Sequence, residues 1–359
     1  MTPVAQVQSS PTDSGAPADV AGAPRRRPRR PGPGELVVVA ALVAVAILVP
    51  ALFSVFWVRS FTTSAIYAIA AAGVGLLYGR LGLVSLGQIA LVGVGGWIML
   101  RLGHATGLPY PALLLLAGLG TCVIGVLVGL PSLRLSGLNL AIVTLMFAGA
   151  FAIVFNATSF PNGGDGFLGR ATGSAQRVAL ERPGLGVSDT GYFRYVLVVA
   201  TAMFLLMAIH LRGRPGRAWA AIRHSEAGAL ASGVDTTRGK LHALALVSFT
   251  TGVAGGLLAG NAGVLDPGDF DAAESILLFA VVLIGGAFSL LGGVFGGLLS
   301  QAFPSLLSEL GVNGNFILVV FGLGLMHAVS TAPQGIAGQL EGLGRTLSAR
   351  IRPAEDDDA

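Results

Sequence analysis

Side chains able to do chemistry are scarce in this sequence, and they cluster. A phosphate-cradling GxxxxGK[ST] loop is missing: Lys240 is the only lysine, Leu241 follows it, and no matching glycine spacing precedes it. No CxxC or HExxH occurs, and the polar stretches hold no Ser/His/Asp set for nucleophilic catalysis. Cys122, the single cysteine, sits in an apolar run and reads as a small packing residue. Two groups remain. One is the interior stretch Leu211–Lys240, LRGRPGRAWAAIRHSEAGALASGVDTTRGK, which carries Arg212, Arg214, Arg217, Arg223, His224, Arg238 and Lys240 between two long apolar runs. The other is a thin scatter of neutral polar residues inside apolar runs: Ser85, Gln88, Asn139, Thr144, Asn156, Ser248, Thr250 and Thr251.

Each group admits two kinds of work. Neutral polar side chains in apolar helices most often hydrogen-bond between helices. The other role is to line a polar path, and Ser85 and Gln88 are the strongest candidates. They lie three apart, on one face of a helix, beside Gly82 and Gly87, where backbone can come close. Asn139 and Thr144 are further candidates for the same path. In the charged stretch, Trp219, Ile222 and Leu230 fall on one face at helical spacing, with Arg223 and Glu226 three apart. Ser225 is placed to cap a short second helix, with Glu226 at its positive end, and Gly233 is a natural stop. Asp235 is placed to cap the helix after that. The stretch is either a docking face built of two short helices or a solvated linker whose arginines fix topology.

The elements that must position these groups are membrane spans. Of 359 residues, 53% are hydrophobic and only 11% charged, with a mean hydropathy of +0.76. A soluble globular chain is about a quarter charged. Apolar runs of about 20 residues, the length that crosses a bilayer core as a helix, recur along most of the sequence. The 53 glycines suit helices that approach closely where lipid offers no hydrophobic drive. The net charge of +4 comes from arginines in membrane-flanking loops and does not indicate nucleic-acid binding.

The expected architecture is an all-α polytopic integral membrane protein of about ten spans (eight to ten), with both termini cytoplasmic. Residues 1–34 are a disordered basic leader, 35–335 the membrane domain, and 336–359 a cytoplasmic tail. The spans are Leu36–Val58, Ser64–Leu77, Ser85–Leu102, Ala112–Leu130, Leu138–Phe155, Phe193–Leu211, Leu241–Gly260, Ser275–Leu290, Gly292–Leu307 and Phe316–Val329. A long external loop covers 156–192 and the charged loop 212–240 lies inside. Arg80, Arg134, the 212–240 cluster, Arg345, Arg350 and Arg352 then fall on the inner side, as the positive-inside rule requires. The acidic loop Asn261–Glu274 falls outside. Ionisable residues inside a membrane mark ion or proton pathways. Here they sit at span ends, which argues against an ion-coupled carrier.

Several stretches together resemble one family. Segment 216–240, GRAWAAIRHSEAGALASGVDTTRGK, is similar to the coupling loop of ABC-importer permeases of the branched-chain amino-acid type (LivM/LivH). GRLGLVSLGQIALVGVGGW at 79–97, SGLNLAIVTLMFAGAF at 136–151, TSFPNGGDGF at 158–167 and ILLFAVVLIGGAFSLLGGVFGGLL at 276–299 resemble its other motifs, in the same order. The resemblance implies a half-channel that pairs with a second, LivH-like permease. Two cytoplasmic ATP-binding subunits grip the coupling loops, and an external solute-binding protein delivers the solute. By that similarity, Arg217, Arg223, Glu226 and Gly233, with Ile222 on the same helix, belong to the ATPase-coupling segment. This chain would bind no cofactor itself, ATP being held by the partners. The implied solute is a branched-chain or other hydrophobic amino acid, in a bacterial plasma membrane. Urea or short amides are the second reading, and an ATP-independent facilitator or secondary transporter the third.

Overall fold

The computed structural model describes residues 33–132, 135, 137–171, 177–331, 334–340 and 342. Of the expected leader, only its last two residues fall within this range. Arg134 and most of the tail, with Arg345, Arg350 and Arg352, lie outside it. The chain divides into two units, and residues 33–43, the described part of the first, are helical. The packing and the site described below concern the second unit, from Ala44 onward.

Every regular element among the described residues is helical: α1 (Pro33–Leu52), α2 (Val55–Leu81), α3 (Gln88–Ala105), α4 (Tyr110–Ser132), α5 (Gly137–Thr158), α6 (Asp189–Arg212), α7 (Arg214–His224), α8 (Glu226–Ala231), α9 (Thr236–Ala262), α10 (Ala272–Gly285), α11 (Leu290–Gly297), α12 (Phe303–Glu309) and α13 (Gly314–Thr331). Six helical stretches are long and apolar enough to cross a membrane: α2, α4, α5, α6, α9 and the run from α11 through a π-turn into α12. Ala40–Leu52, α10 and Phe316–Ala328 of α13 are apolar but shorter. The protein is therefore an all-helical, multi-pass membrane protein. The expected first span, Leu36–Val58, breaks at Phe53–Ser54, so Val58 belongs to α2.

Two helices form the axis of the bundle. In α2 and α9, 78% and 83% of the apolar window is buried, against 28% in α5 and in α6, so the last two lie at the margin. Helix α9 packs on α2, α3 and α4, and α2 packs in addition on α6 and α11. Glycine makes these approaches possible. A Cβ on Gly95 of α3 would collide with the backbone of Gly252 in α9, and one on Gly255 with the carbonyl of Val92. Gly297 and Gly293 bring α11 onto the backbone of α2 in the same way. Van der Waals contact between helix backbones replaces the hydrophobic drive that lipid cannot supply. The glycines of 252–256 and 292–297 are packing residues, as their place in apolar runs implies.

The end of the bundle far from α7 and α8 is held by polar contacts. Arg182, in the loop before α6, donates to the carbonyls of Gly260 and Asn261, closing the C-terminal end of α9. It also pairs with Asp189 at 2.8 Å, and Asp189 pairs with Arg59 at the start of α2. Tyr110 and Tyr192 join their hydroxyls at 2.9 Å, and Tyr192 donates to the carbonyl of Leu257.

Candidate functional site: a polar cavity and the short helices beside it

The chain between α2 and α3, Gly82–Gly87, is not helical. Gly82 (φ 71°) ends α2 in a left-handed cap, its N–H donating to Tyr78 and that of Leu83 to Leu77. Irregular backbone amid membrane helices survives only where protein buries it or a cavity needs it. Here Leu83 and Gly87 are buried, and with Ser85 they line a cavity. The Leu86 N–H donates to Thr144 Oγ1 of α5 at 2.9 Å. Beside the break lies a small cavity. Ser85, Gln88, Thr144 and Ser248 supply its polar wall, Leu77, Leu83, Leu91, Leu140, Phe147 and Leu244 its apolar one. No charged side chain lines it.

Gln88 is the hub of the polar wall and is only 2% exposed. Its Oε1 accepts from Thr251 Oγ1 at 3.0 Å and its Nε2 donates to Ser85 Oγ at 3.4 Å. The contact with Thr251 is one the spacing could not reveal, since it joins α3 to α9 across 163 positions. Ser85 and Gln88 do meet, but not along one helix face: α3 begins at Gln88, so they meet across its start. Gly87 makes the expected close approach, to the Thr144 carbonyl and the Phe147 ring. Asn139 is the exception among the four path candidates. It is exposed near the start of α5 and does not line the cavity.

The segment after α6 folds as the two short helices that the caps imply. Ser225 Oγ accepts from the Gly228 N–H at 3.1 Å and starts α8. Gly233 (φ 78°) stops it, with the Val234 N–H returning to the Ala229 carbonyl. Asp235 accepts from the Arg238 N–H and starts α9. Trp219 and Ile222 are buried on one face of α7, and Trp219 Nε1 donates to the Gly239 carbonyl at 2.9 Å. Leu230 does not share that face. It lies in α8 and points outward at 56% exposure, and Ala229 is the residue buried in its place.

The five coupling residues separate by direction. Arg217 and Gly233 are exposed. Ile222 is buried against Gly239 within this chain. Glu226 is half-exposed and pairs with Lys240, whose side chain is 6% exposed. Arg223, at the end of α7, reaches back to the Tyr78 carbonyl and stacks on Phe288. Tyr78, Phe288 and Lys240 were not singled out by any motif. Lys240 is the sole lysine in the chain and the last residue of the 216–240 segment.

The sequence profile described as "Branched-chain amino acid transport system / permease component" matches residues 56–329, most of the chain and nearly all of the stretch from α2 through α13. The chain belongs to that family. Among curated relatives, the high-affinity branched-chain amino acid transport system permease protein LivM of Salmonella typhimurium is 33% identical over 264 residues, 68% of this chain and 62% of that protein. The LivM protein of Escherichia coli is 30% identical over 314 residues, 82% of this chain and 73% of that protein. The ribose import permease protein RbsC of Bacillus subtilis is 30% identical over 155 residues, 41% of this chain and 48% of that protein. The chain thus spans just under two thirds of the Salmonella protein and nearly three quarters of the Escherichia one. No solved structure matches it.

Proposed function

We propose that this chain is the transmembrane permease subunit of an ATP-driven importer that carries branched-chain or similar hydrophobic amino acids inward. The observation that carries the reading is the neutral cavity at a helix break, standing beside a short, firmly capped pair of helices. A cavity with hydroxyl and amide groups on one wall and leucine on the other suits a solute with one polar end and one aliphatic end. A capped helix pair can pass on a push from outside, whereas a loose loop would absorb it. Two ATP-binding subunits would press on the exposed surface of α7 and α8, where Arg217 and Leu230 offer a cation and an apolar anchor. A second, LivH-like permease would complete the channel, and an external binding protein would deliver the solute. The topology proposed with this reading keeps both termini and the 212–240 segment in the cytoplasm, with about ten spans.

The test is reconstitution of the chain with its partner subunits in proteoliposomes, followed by uptake of labelled leucine, valine and urea. ATP-dependent accumulation of leucine, lost on Leu230→Asp together with the co-purifying ATPase, is the expected result. ATP-independent equilibration would sink the importer reading. Uptake of urea in preference to leucine would replace the solute. Labelling of single cysteines placed at Arg217 and at Gly166 from opposite sides of the membrane checks the topology.

A further inference from the structure

Arg223 is the only one of the expected coupling residues whose polar group is engaged by elements outside the 212–240 segment. Its Nη1 donates to the Tyr78 carbonyl, its Cζ lies 5.1 Å from the centre of the Phe288 ring, and 5.8 Å from that of Tyr78. The two rings are themselves 6.2 Å apart. A planar guanidinium can stack on an aromatic face and donate from its edge at once, which an ammonium cannot reproduce.

What Arg223 holds is the hinge of the cavity. The Tyr78 carbonyl also accepts from the Gly82 N–H, the bond that ends α2. Leu77, one residue back, accepts from the Leu83 N–H, and both leucines line the cavity. Phe288 belongs to the turn between α10 and α11. The last turn of α2 lies so close to that turn that a Cβ on Gly79 would collide with the Ala287 carbonyl. We infer that Arg223 is a positioning residue that clasps α7 to the α2 cap and the α10–α11 turn, so that displacement of α7 reaches the Gly82–Gly87 break. It acts toward the cavity, not toward the ATPase. This inference rests on the reading of α7–α8 as the segment an ATPase moves.

The experiment uses the assembled transporter in lipid nanodiscs, as wild type, Arg223→Gln, Arg223→Lys and Phe288→Leu. Hydrogen exchange of the 82–87 amides is measured without nucleotide and with a non-hydrolysable ATP analogue, alongside the ratio of ATPase subunit to permease. All three variants are expected to keep the wild-type ratio. The nucleotide-induced change in exchange at 82–87 should shrink about tenfold in Arg223→Gln and Arg223→Lys, and less in Phe288→Leu. Loss of the ATPase from Arg223→Gln, or an undiminished exchange response, overturns the inference. Should the wild type neither recruit an ATPase nor respond to nucleotide, the reading of α7–α8 falls by itself. The clasp is then judged on the permease alone, where faster exchange at 82–87 in Arg223→Gln supports it and unchanged exchange overturns it. Phe288→Leu serves the same purpose where Arg223→Gln does not fold.

Discussion

The ammonium of Lys240 lies 2.7 Å from a carboxylate oxygen of Glu226, joining the first turn of α8 to the first turns of α9. The lysine is almost fully buried and the glutamate half-exposed, so the two ends of the bond are unequal. Removing the carboxylate leaves a buried ammonium without its partner, whereas removing both charges does not. Glu226→Gln is expected to cost about 1–3 kcal/mol, less than for a wholly buried pair because water reaches the glutamate. Adding Lys240→Met to it should recover most of the loss. Thermal unfolding of the four proteins, read as a double-mutant cycle, checks this. A double change that costs the sum of the two single changes would show that the pair is not coupled.

Gly233 tests whether α8 must end where it does. Its φ is 78°, and a Cβ there would meet nothing within 4 Å, so the backbone alone opposes a side chain. Gly233→Ala should cost about 1 kcal/mol and Gly233→Asn less, since asparagine tolerates the left-handed region. Gly233→Val should be worst of the three. Stability and ATPase recruitment should fall in that order, whereas recruitment blind to the series would separate the α8 stop from docking.

Close backbone packing of α3 on α9 predicts a sharp contrast between glycines. Gly95→Ala places a methyl against the Gly252 backbone, which cannot withdraw without separating two central helices. A loss of about 2 kcal/mol or more and poor yield are expected. Gly149→Ala on α5 meets nothing within 4 Å and should be neutral or slightly stabilising. Detergent-solubilised yield and melting temperature decide between these outcomes.

In the polar wall, Thr251→Val removes the hydroxyl donor to Gln88 Oε1. A buried acceptor left without its donor costs about 1–3 kcal/mol. Gln88→Leu deletes the hub itself. Under the proposed function it should abolish solute uptake while leaving ATPase recruitment intact, because the α7–α8 contacts do not involve it. Uptake surviving Gln88→Leu would remove the cavity from the path.

Partial burial, and then repulsion from the Asp266 carboxylate, raise the pKa of Asp269 in the loop before α10. The folded protein therefore holds this proton more tightly than the unfolded chain does. The resulting destabilisation is full above the folded pKa and vanishes below the unfolded value of about 4. Asp269→Asn should stabilise the protein at neutral pH, with the gain disappearing as the pH falls toward 4. Melting curves at several pH values measure it, and a gain that persists in acid would assign the effect to something other than charge.

Much of this molecule was legible in order and type. Long apolar runs report membrane helices because lipid tolerates little else. Ser225, Gly233 and Asp235 reported the ends of α8 and the start of α9 because capping is decided within a few residues of the cap. The family resemblance of five separated motifs was legible too, and the profile match over 56–329 agrees with it. What the sequence could not decide was direction. Leu230 and Ile222 look alike along the chain, yet the helix breaks at Ser225, and Ile222 of α7 is buried while Leu230 of α8 is exposed. Ser85 and Gln88 look like one helical face, yet the helix starts between them. Arg223 and Glu226 look like a matched pair three apart, yet one turns back to Tyr78 and Phe288 and the other reaches forward to Lys240. Caps and spans are set by local hydrogen bonds and by solvent, which neighbouring residues determine. The partners of a long side chain are set by which helices the fold brings within a few ångströms, and only the packing of α2, α9 and the α10–α11 turn decides that.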